Sequence, residues 1–364
     1  MKIVVVGAGY SGIACLARLS AAAPAAERHL VSPRPWHLHR TRLHEAVRRP
    51  LSELREPLPG LARRWDFVNH RGRVQVTDDN LAQWRREGCL EVGRRKLGFD
   101  YLVLATGLPG PRPPGRSRHT LGLDEVATGP GRNRLRRMAA ADGPPLWIVG
   151  AGASGLQFAF ELAHAGAGPL AVVDAADALL PGESPSLVRY VKDRLEEAGI
   201  RLWLGHFYRG FVRGRVQLEA AADGAVRMEP GRGVLLCTGP ASRRLRAARD
   251  GRLLLDDQCC ERIFAAGDCA SWEGEGFDAA TAQAAIRKGR RAAENVGASA
   301  RGRSLEAYDA RQLGFFLSLG PEDGVGWALS DAALIKGWPA VAAREAIESR
   351  WELLLSGVDT FSAF

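Results

Sequence analysis

Paired thiols, long apolar runs and lysine are what this chain lacks. Its six cysteines, Cys15, Cys89, Cys237, Cys259, Cys260 and Cys269, contain no Cys-x-x-Cys or Cys-x4-Cys spacing, and the adjacent Cys259 and Cys260 cannot readily bridge to each other. Dithiol redox chemistry is therefore not expected, and the thiols read as small buried apolar side chains. No run approaches the roughly 18 apolar residues that a membrane-crossing helix needs. His37, His39 and His44 stand at no metal-ligand spacing with carboxylates, so they are expected to be structural and no metal centre is predicted. Lysine is confined to positions 2, 96, 192, 288 and 336, so nearly all of the 50 basic residues are arginine. The formal charge of +9 favours anionic surfaces. With no nucleic-acid motif and no basic–aromatic stripe, a nucleic-acid partner is not expected, and only weak, salt-sensitive contact with lipid headgroups remains. Because the first strand begins at residue 3, the sequence leaves no room for a leader segment, and a cytoplasmic protein, at most peripheral to the inner face of the membrane, is expected. A chain of 364 residues supports two domains and a further piece.

Glycine, by contrast, is abundant and placed with purpose. Gly7-Ala8-Gly9-Tyr10-Ser11-Gly12 directly follows the apolar run Ile3-Val4-Val5-Val6, and Gly150-Ala151-Gly152-Ala153-Ser154-Gly155 directly follows Leu146-Trp147-Ile148-Val149. Each reads as buried strand, tight turn and helix start. Glycine serves the turn, the approach of backbone to a pyrophosphate, and close helix packing, while the helix N-terminus attracts phosphate. Two such motifs predict two bound dinucleotides and electron transfer between them. Two further apolar strands end in Ala105-Thr106-Gly107 and Cys237-Thr238-Gly239, and Ile263-Phe264-Ala265-Ala266 leads into Gly267-Asp268.

Between these motifs the periodicity predicts a helix over about 11–22, a strand over 28–31, strands around Phe67–Val68 and Val74–Val76, and a strand at 101–105. The Pro/Gly-rich stretch from Gly107 to Gly115 reads as a linker. Beyond it come a strand at 146–149, a helix over 154–165, a strand at 170–173, a helix near 187–198, and a helix over about 281–296. Residues 301–364 read as a separate tail.

This layout resembles the two-dinucleotide-binding-domain flavoproteins of the pyridine nucleotide-disulfide oxidoreductase superfamily. The resemblance implies an α/β fold of two Rossmann-like domains, an NAD domain inserted in an FAD domain, plus a C-terminal region. The implied boundaries are 1–108 and 238–300 for FAD, 109–237 for NAD(P)H, and 301–364 for the rest. The loop Trp36-His37-Leu38-His39-Arg40-Thr41-Arg42-Leu43-His44 and the segment Thr281-Ala282-Gln283-Ala284-Ala285 are similar to type II NADH dehydrogenases. The stretch Gln312-Leu313-Gly314-Phe315-Phe316-Leu317-Ser318-Leu319-Gly320-Pro321-Glu322-Asp323-Gly324-Val325-Gly326 resembles the C-terminal region of the apoptosis-inducing-factor-like quinone reductases known as ferroptosis suppressors. Disulfide reductases and sulfide:quinone reductases of the superfamily carry cysteines that this chain lacks.

The resemblance implies FAD at Gly7, Gly9, Tyr10, Ser11, Gly12, Ala105, Thr106, Gly107, Gly267, Asp268 and Ala282, with Arg34 and Arg42 approaching its phosphates. It implies NADH at Gly150, Gly152, Ser154, Gly155, Thr238 and Gly239. Asp174 ends the strand Leu170–Val173, where a carboxylate suits the free ribose 2′-hydroxyl of NAD and repels the phosphate of NADP. The matching position in the first motif is Ser32, a weaker ribose partner than an ionised acid. Gln157 stands where type II enzymes have a glutamate beside the nicotinamide, and Gln283 where the helix start faces flavin and quinone; these two are the candidate catalytic residues. The activity implied is hydride transfer from NADH to FAD and two-electron reduction of a quinone-like acceptor. The alternative is a soluble FAD/NAD(P)H oxidoreductase acting on a pathway-specific small molecule.

Residues 338–355 predict a helix with Pro339 in its first turn and an apolar stripe of Ala340, Ile347, Trp351 and Leu354, off which Arg344, Glu345, Glu348 and Arg350 lie. That helix is expected to pack on the FAD-binding domain or on a homodimer partner rather than to dock on a bilayer.

Overall fold

The computed structural model describes residues 1–108, 118–239, 244–274, 280–310 and 312–361. Two sheets dominate. The larger has eight strands in the spatial order 270–272, 245–247, 252–255, 258–265, 101–104, 2–6, 27–32 and 67–71. Its last five are mutually parallel. The smaller has five parallel strands in the order 201–203, 170–173, 146–149, 233–236 and 120–122. The chain therefore leaves the first sheet after Leu104, builds the second with residues 120–236, and returns at Leu245. Most of the Gly107–Gly115 linker lies outside the described residues.

The central strands read as uninterrupted apolar runs because both sheet faces are covered. In the smaller sheet one face packs on helices and the other on the antiparallel strands His206–Val212, Arg215–Ala220 and Val226–Pro230, through Val216 and Leu218. Ile3, Val4 and Val5 are fully buried, as are Leu102, Val103 and Leu104 beside them. In each sheet the order reverses at one point: between 2–6 and 101–104 in the first, and between 146–149 and 233–236 in the second. Crevices at the carboxyl ends of strands at such switch points are where doubly wound folds take ligands. Both fingerprint motifs lie there.

The helices largely follow the expected ranges: Tyr10–Ala22, Ala153–His164, Pro185–Glu197 and Ala282–Ser299. Helix Ala282–Ser299 lies along helix Tyr10–Ala22, and a Cβ on Gly289 would overlap the backbone oxygen of Ser11. The strand expected at Val74–Val76 does not form. Residues 73–77 belong to no strand and end at Thr77, whose hydroxyl caps the helix Asp78–Glu87.

Residues beyond 301 do not stand apart. Strands Gly314–Ser318, Gly324–Ala328 and Ser330–Lys336 form an antiparallel sheet whose Leu317 and Val325 join the core of the smaller sheet. Helix Trp338–Ser356 buries Trp351, Leu354 and Leu355 in the core of the larger one. The expected apolar stripe of that helix is also corrected: Ile347 is 49% exposed, whereas Arg344 and Glu348 are buried. The surface it covers is charged, so a guanidinium meets a carboxylate there where an aliphatic side chain would leave one unpaired.

That carboxylate is Glu45, in the tight 3-10 turn Arg40–Val47. Its oxygens accept from Arg42 Nε at 3.1 Å, Arg49 Nη1 at 2.9 Å and Arg344 Nη2 at 3.2 Å. Burial opposes its ionisation, but the bond from Arg42 and the surrounding positive charge outweigh burial and hold its pKa down at about 2. A depressed folded-state pKa contributes stability that is present above the ordinary glutamate range and lost as pH falls toward 2. We expect Glu45→Gln to cost on the order of 3 kcal/mol at neutral pH. The difference from the parental protein should shrink steadily between about pH 4.5 and pH 2 in denaturant unfolding. A difference that stays constant over that window would show that the charge on Glu45 contributes nothing.

Candidate functional site: two dinucleotide cradles joined by one turn

Gly7 adopts φ +116° and Gly150 φ +109°, conformations closed to other side chains without strain. A Cβ on Gly7 would overlap the Ala105 oxygen, and one on Gly12 or Gly155 would overlap the oxygen of Gly7 or Gly150. The partner strand meets each helix with a small side chain, Ala105 in one and Cys237 in the other.

Gly9 and Gly152 differ from these. They are the N-caps of the two helices, with φ −79° and −77°, angles open to any residue, and a Cβ on either would meet nothing within 4 Å. Neither helix has a side-chain cap, whereas Thr77, Thr128, Ser184 and Thr281 cap four other helices by accepting from backbone N–H groups. Helix starts with free N–H groups and open space before them fit a phosphate. Within the first cradle, Ser11 Oγ is buried and has no hydrogen-bond partner. An orphaned hydroxyl is costly unless a ligand satisfies it. On these observations, the residues present fit a dinucleotide at each site.

Other expected residues gather around the cradles. Gly267, at φ +79°, puts its α-carbon against the Ser11 side chain, so Asp268 lies beside the first helix start. Cys269 donates to the oxygens of Leu104 and Ala266 at 3.3 Å, fastening the two strand ends. Thr106 and Gly107 follow the same edge, and Thr238 and Gly239 follow the second sheet past Gly150. Tyr10 Oη meets Thr41 Oγ1 at 2.7 Å. Ser154 is exposed and Gln157 half-buried on the first turn of the second helix. Ala282 and Gln283 open the helix capped by Thr281, and Gln283 Oε1 accepts from Leu313 N at 3.3 Å, tying this helix start to the C-terminal region.

The strand-end residues behave differently. Asp174 Oδ2 accepts from the N–H of Ala151, at the centre of the second fingerprint, at 2.6 Å, and Oδ1 accepts from Ala176 at 2.9 Å. Ser32 is buried and turned onto its own chain, donating to the oxygen of Arg34 and accepting from its N–H.

Two arginines are placed otherwise than expected for phosphate ligands. Arg42 points into the contact with the C-terminal helix, bonding Glu45 and Glu352 at 3.1 Å and pairing with Glu345 at 3.5 Å. Three carboxylates draw it there, away from the FAD phosphate expected for it. Arg34, with Arg40, shares Asp124 Oδ1 at 3.1 Å.

The turn Arg40–Val47 lies between the cradles. Through Thr41 it touches the first helix; through the Arg48–Glu161 ion pair and the edge contact of His44 with Phe158 it touches the second. Four contacts in and beside this turn carry no short-range sequence signal: Glu45 with Arg344, Arg48 with Glu161, and His37 with Ala8 and with Trp351. Only the concentration of charge and imidazole in 36–49 marks the segment.

This arrangement defines a doubly wound protein with two nucleotide cradles. A sequence model of the pyridine nucleotide-disulphide oxidoreductases matches residues 1–289, and the chain belongs to that family. Type II NADH:quinone oxidoreductase of Staphylococcus epidermidis is 26% identical over 398 aligned residues, covering 98% of this chain and 96% of the relative. The protein of the same name in Staphylococcus aureus is 25% identical over 401. Among solved structures, the sulfide:quinone oxidoreductase of Aquifex aeolicus matches with a TM-score of 0.80 at 17% identity, over 99% of this chain and 93% of that one. NDH2 of Plasmodium falciparum in complex with NADH matches with a TM-score of 0.75 at 11% identity, over 95% and 94%. Despite the family's name, all six cysteines here are free, and burial raises the thiol pKa of Cys15, Cys237 and Cys269. Among the described residues no group of His, Cys, Asp and Glu could hold a metal ion.

The two classes of glycine separate by experiment. Gly9→Ala should leave the thermal midpoint of the flavin-free protein near the parental value while reducing flavin retention at least tenfold. Gly12→Ala should lose about 3 kcal/mol or more of stability, because backbone must move to admit its Cβ. Equal destabilisation by the two substitutions would remove the argument that Gly9 is kept bare for a ligand.

Proposed function

We propose that this protein is an FAD-dependent NADH:quinone oxidoreductase. The observation that carries this reading is the pair of uncapped, matching cradles joined by one turn, in a chain that aligns from end to end with type II NADH:quinone oxidoreductases. The alternative, a pathway-specific small-molecule oxidoreductase, has no observation in its favour beyond Ser32 and Gln157.

Gly7, Gly9, Tyr10, Ser11 and Gly12 hold the FAD pyrophosphate on the free N–H groups of the first helix, and Asp268 faces the same ligand from the neighbouring turn. Gly150, Gly152, Ser154 and Gly155 hold the NADH pyrophosphate. Asp174 uses one lone pair of each oxygen on the fingerprint backbone, which leaves the others to accept from the adenosine ribose. FAD, when bound, supplies the two-electron carrier between NADH and the quinone. The overall reaction joins NADH, one proton and quinone to give NAD and quinol. Gln157 orients the nicotinamide carboxamide, and hydride transfer needs that positioning rather than acid–base help. Gln283, with its oxygen committed to Leu313, presents its amide N–H groups to a quinone carbonyl. Neither glutamine ionises, so the proton of quinol formation comes from water or another group.

Among the described residues no helix is long and apolar enough to cross a membrane. The C-terminal helix turns Trp351, Leu354 and Leu355 inward and exposes Trp338, Ile347 and Leu353 singly, so we assign any contact with the inner membrane face mainly to the positive charge.

The purified protein should show a flavin spectrum, bleach with NADH and recover on addition of a short-chain quinone, turning over far faster than without an acceptor. A colourless protein that takes up no added FAD would overturn the proposal. NADH should have the lower KM, and Asp174→Ala should narrow its advantage over NADPH by about 1–2 kcal/mol. Equal rates with both nucleotides in the unmutated protein would refute the role given to Asp174.

A further inference from the structure

The two fingerprints of this chain are held in place by different devices, and the difference identifies a residue outside both motifs. In the second, the strand-end acid is the device: Asp174 binds the N–H of the central residue Ala151. In the first, the strand-end residue is Ser32, and its hydroxyl is spent on the backbone of Arg34. The central residue of that loop, Ala8, is instead gripped by its carbonyl: His37 Nδ1 lies 2.9 Å from the Ala8 oxygen.

His37 is fully buried, and its other nitrogen lies 3.1 Å from the indole Nε1 of Trp351, on the C-terminal helix. An indole N–H can only donate, so His37 Nε2 must accept and the single proton of the neutral ring must sit on Nδ1, aimed at Ala8. Trp351 thereby selects the tautomer that can hold the loop. Burial favours the same neutral ring, lowering its pKa to about 3 despite the bond to Ala8. Packing fixes the geometry: the Tyr10 ring, next to Gly9, lies 5.0 Å from His37 and 4.9 Å from Trp351. The helix that carries Trp351 is clamped by Arg344 on Glu45 and by Glu352 on Arg42.

We propose that His37, held in its Nδ1–H form by Trp351, is the positioning residue of the first cradle, replacing the strand-end acid, and that FAD retention depends on the docked C-terminal helix. The inference rests on the FAD assignment above. It makes the C-terminal helix part of the flavin site, although none of its residues lies in a nucleotide motif.

The test starts from holoenzyme and follows the rise of free-flavin fluorescence after dilution, a readout independent of turnover. His37→Phe, which removes both hydrogen bonds, should release FAD at least tenfold faster than the parental protein. Trp351→Phe keeps an aromatic ring but removes the indole donor together with part of its buried volume; it should accelerate release three- to tenfold. His37→Asn, whose amide N–H can occupy the place of Nδ1–H, should recover part of the loss. NADH affinity, governed by the second cradle, should change less than twofold in all three. Release within twofold of parental in both His37→Phe and Trp351→Phe overturns the inference while leaving the FAD assignment intact. Should His37→Phe fail to fold, Trp351→Phe decides alone. A parental protein that takes up no FAD overturns both.

Discussion

A helix that receives a phosphate must begin without a cap of its own, and much of this structure follows from meeting that constraint twice. Four helices begin with Thr or Ser accepting from the first turn, but those at Gly9 and Gly152 begin bare. Bare N–H groups at a helix start carry partial positive charge, and a glycine in place of a capping side chain costs a few tenths of a kcal/mol. The deficit is offset by packing around the bare ends. Gly7 and Gly12 bring strand and helix together against Ala105, Gly150 and Gly155 do the same against Cys237, and Gly289 admits a second helix directly onto Ser11. The glycines thus fall into two groups. Within the two fingerprints, those under compression make the fold, and Gly9 and Gly152, which face open space, fit the site.

The second organising element is the turn between the cradles. Glu45 is a carboxylate with three guanidinium partners, one of them from a helix 299 positions away. Buried ion pairs of this kind contribute little net stability relative to well-packed apolar groups, because desolvation consumes much of the Coulomb energy. Breaking one is costly, however, and its geometry is specific. Here that specificity has a consequence for the site: the C-terminal helix has one docked position, which puts Trp351 onto His37 and Tyr10.

The parts of this molecule legible in the sequence are those encoded locally. Strand 2–6, the turn at Gly7 and the helix after it share a dozen residues, and each residue type there has a steric or electrostatic reason visible without a partner. The same holds for strand 146–149 and its turn. The strand expected at Val74–Val76 failed because alternation alone does not make a ladder; no neighbouring strand offers its N–H and C=O groups there. The pattern of the C-terminal helix gives its place along the chain but not the face it buries. Its pattern counts Arg344 and Glu348 as solvent-facing, and only the long-range partner Glu45 makes burial of the arginine favourable. The same blindness hid His37, whose partner on the C-terminal helix lies 314 positions away.

Ser32 looks like a defect when one motif is compared with a rule, yet the two halves of the chain show that the rule has a purpose another residue can serve. A strand-end acid orders the loop and also reaches the ribose. Asp174 orders its loop through Ala151 and Ala176, and on the proposed reading the lone pairs left on each oxygen accept from the ribose. His37 orders the first loop from beneath, through the oxygen of Ala8, and offers nothing to a ribose. On the proposed reading the two roles are separated in the first cradle: loop geometry passes to a neutral imidazole, while charge complementarity to the phosphates is left to the bare helix start. A buried neutral imidazole is well suited to this division. It holds backbone without placing a negative charge beside a pyrophosphate, whose two phosphates the same loop has to accept.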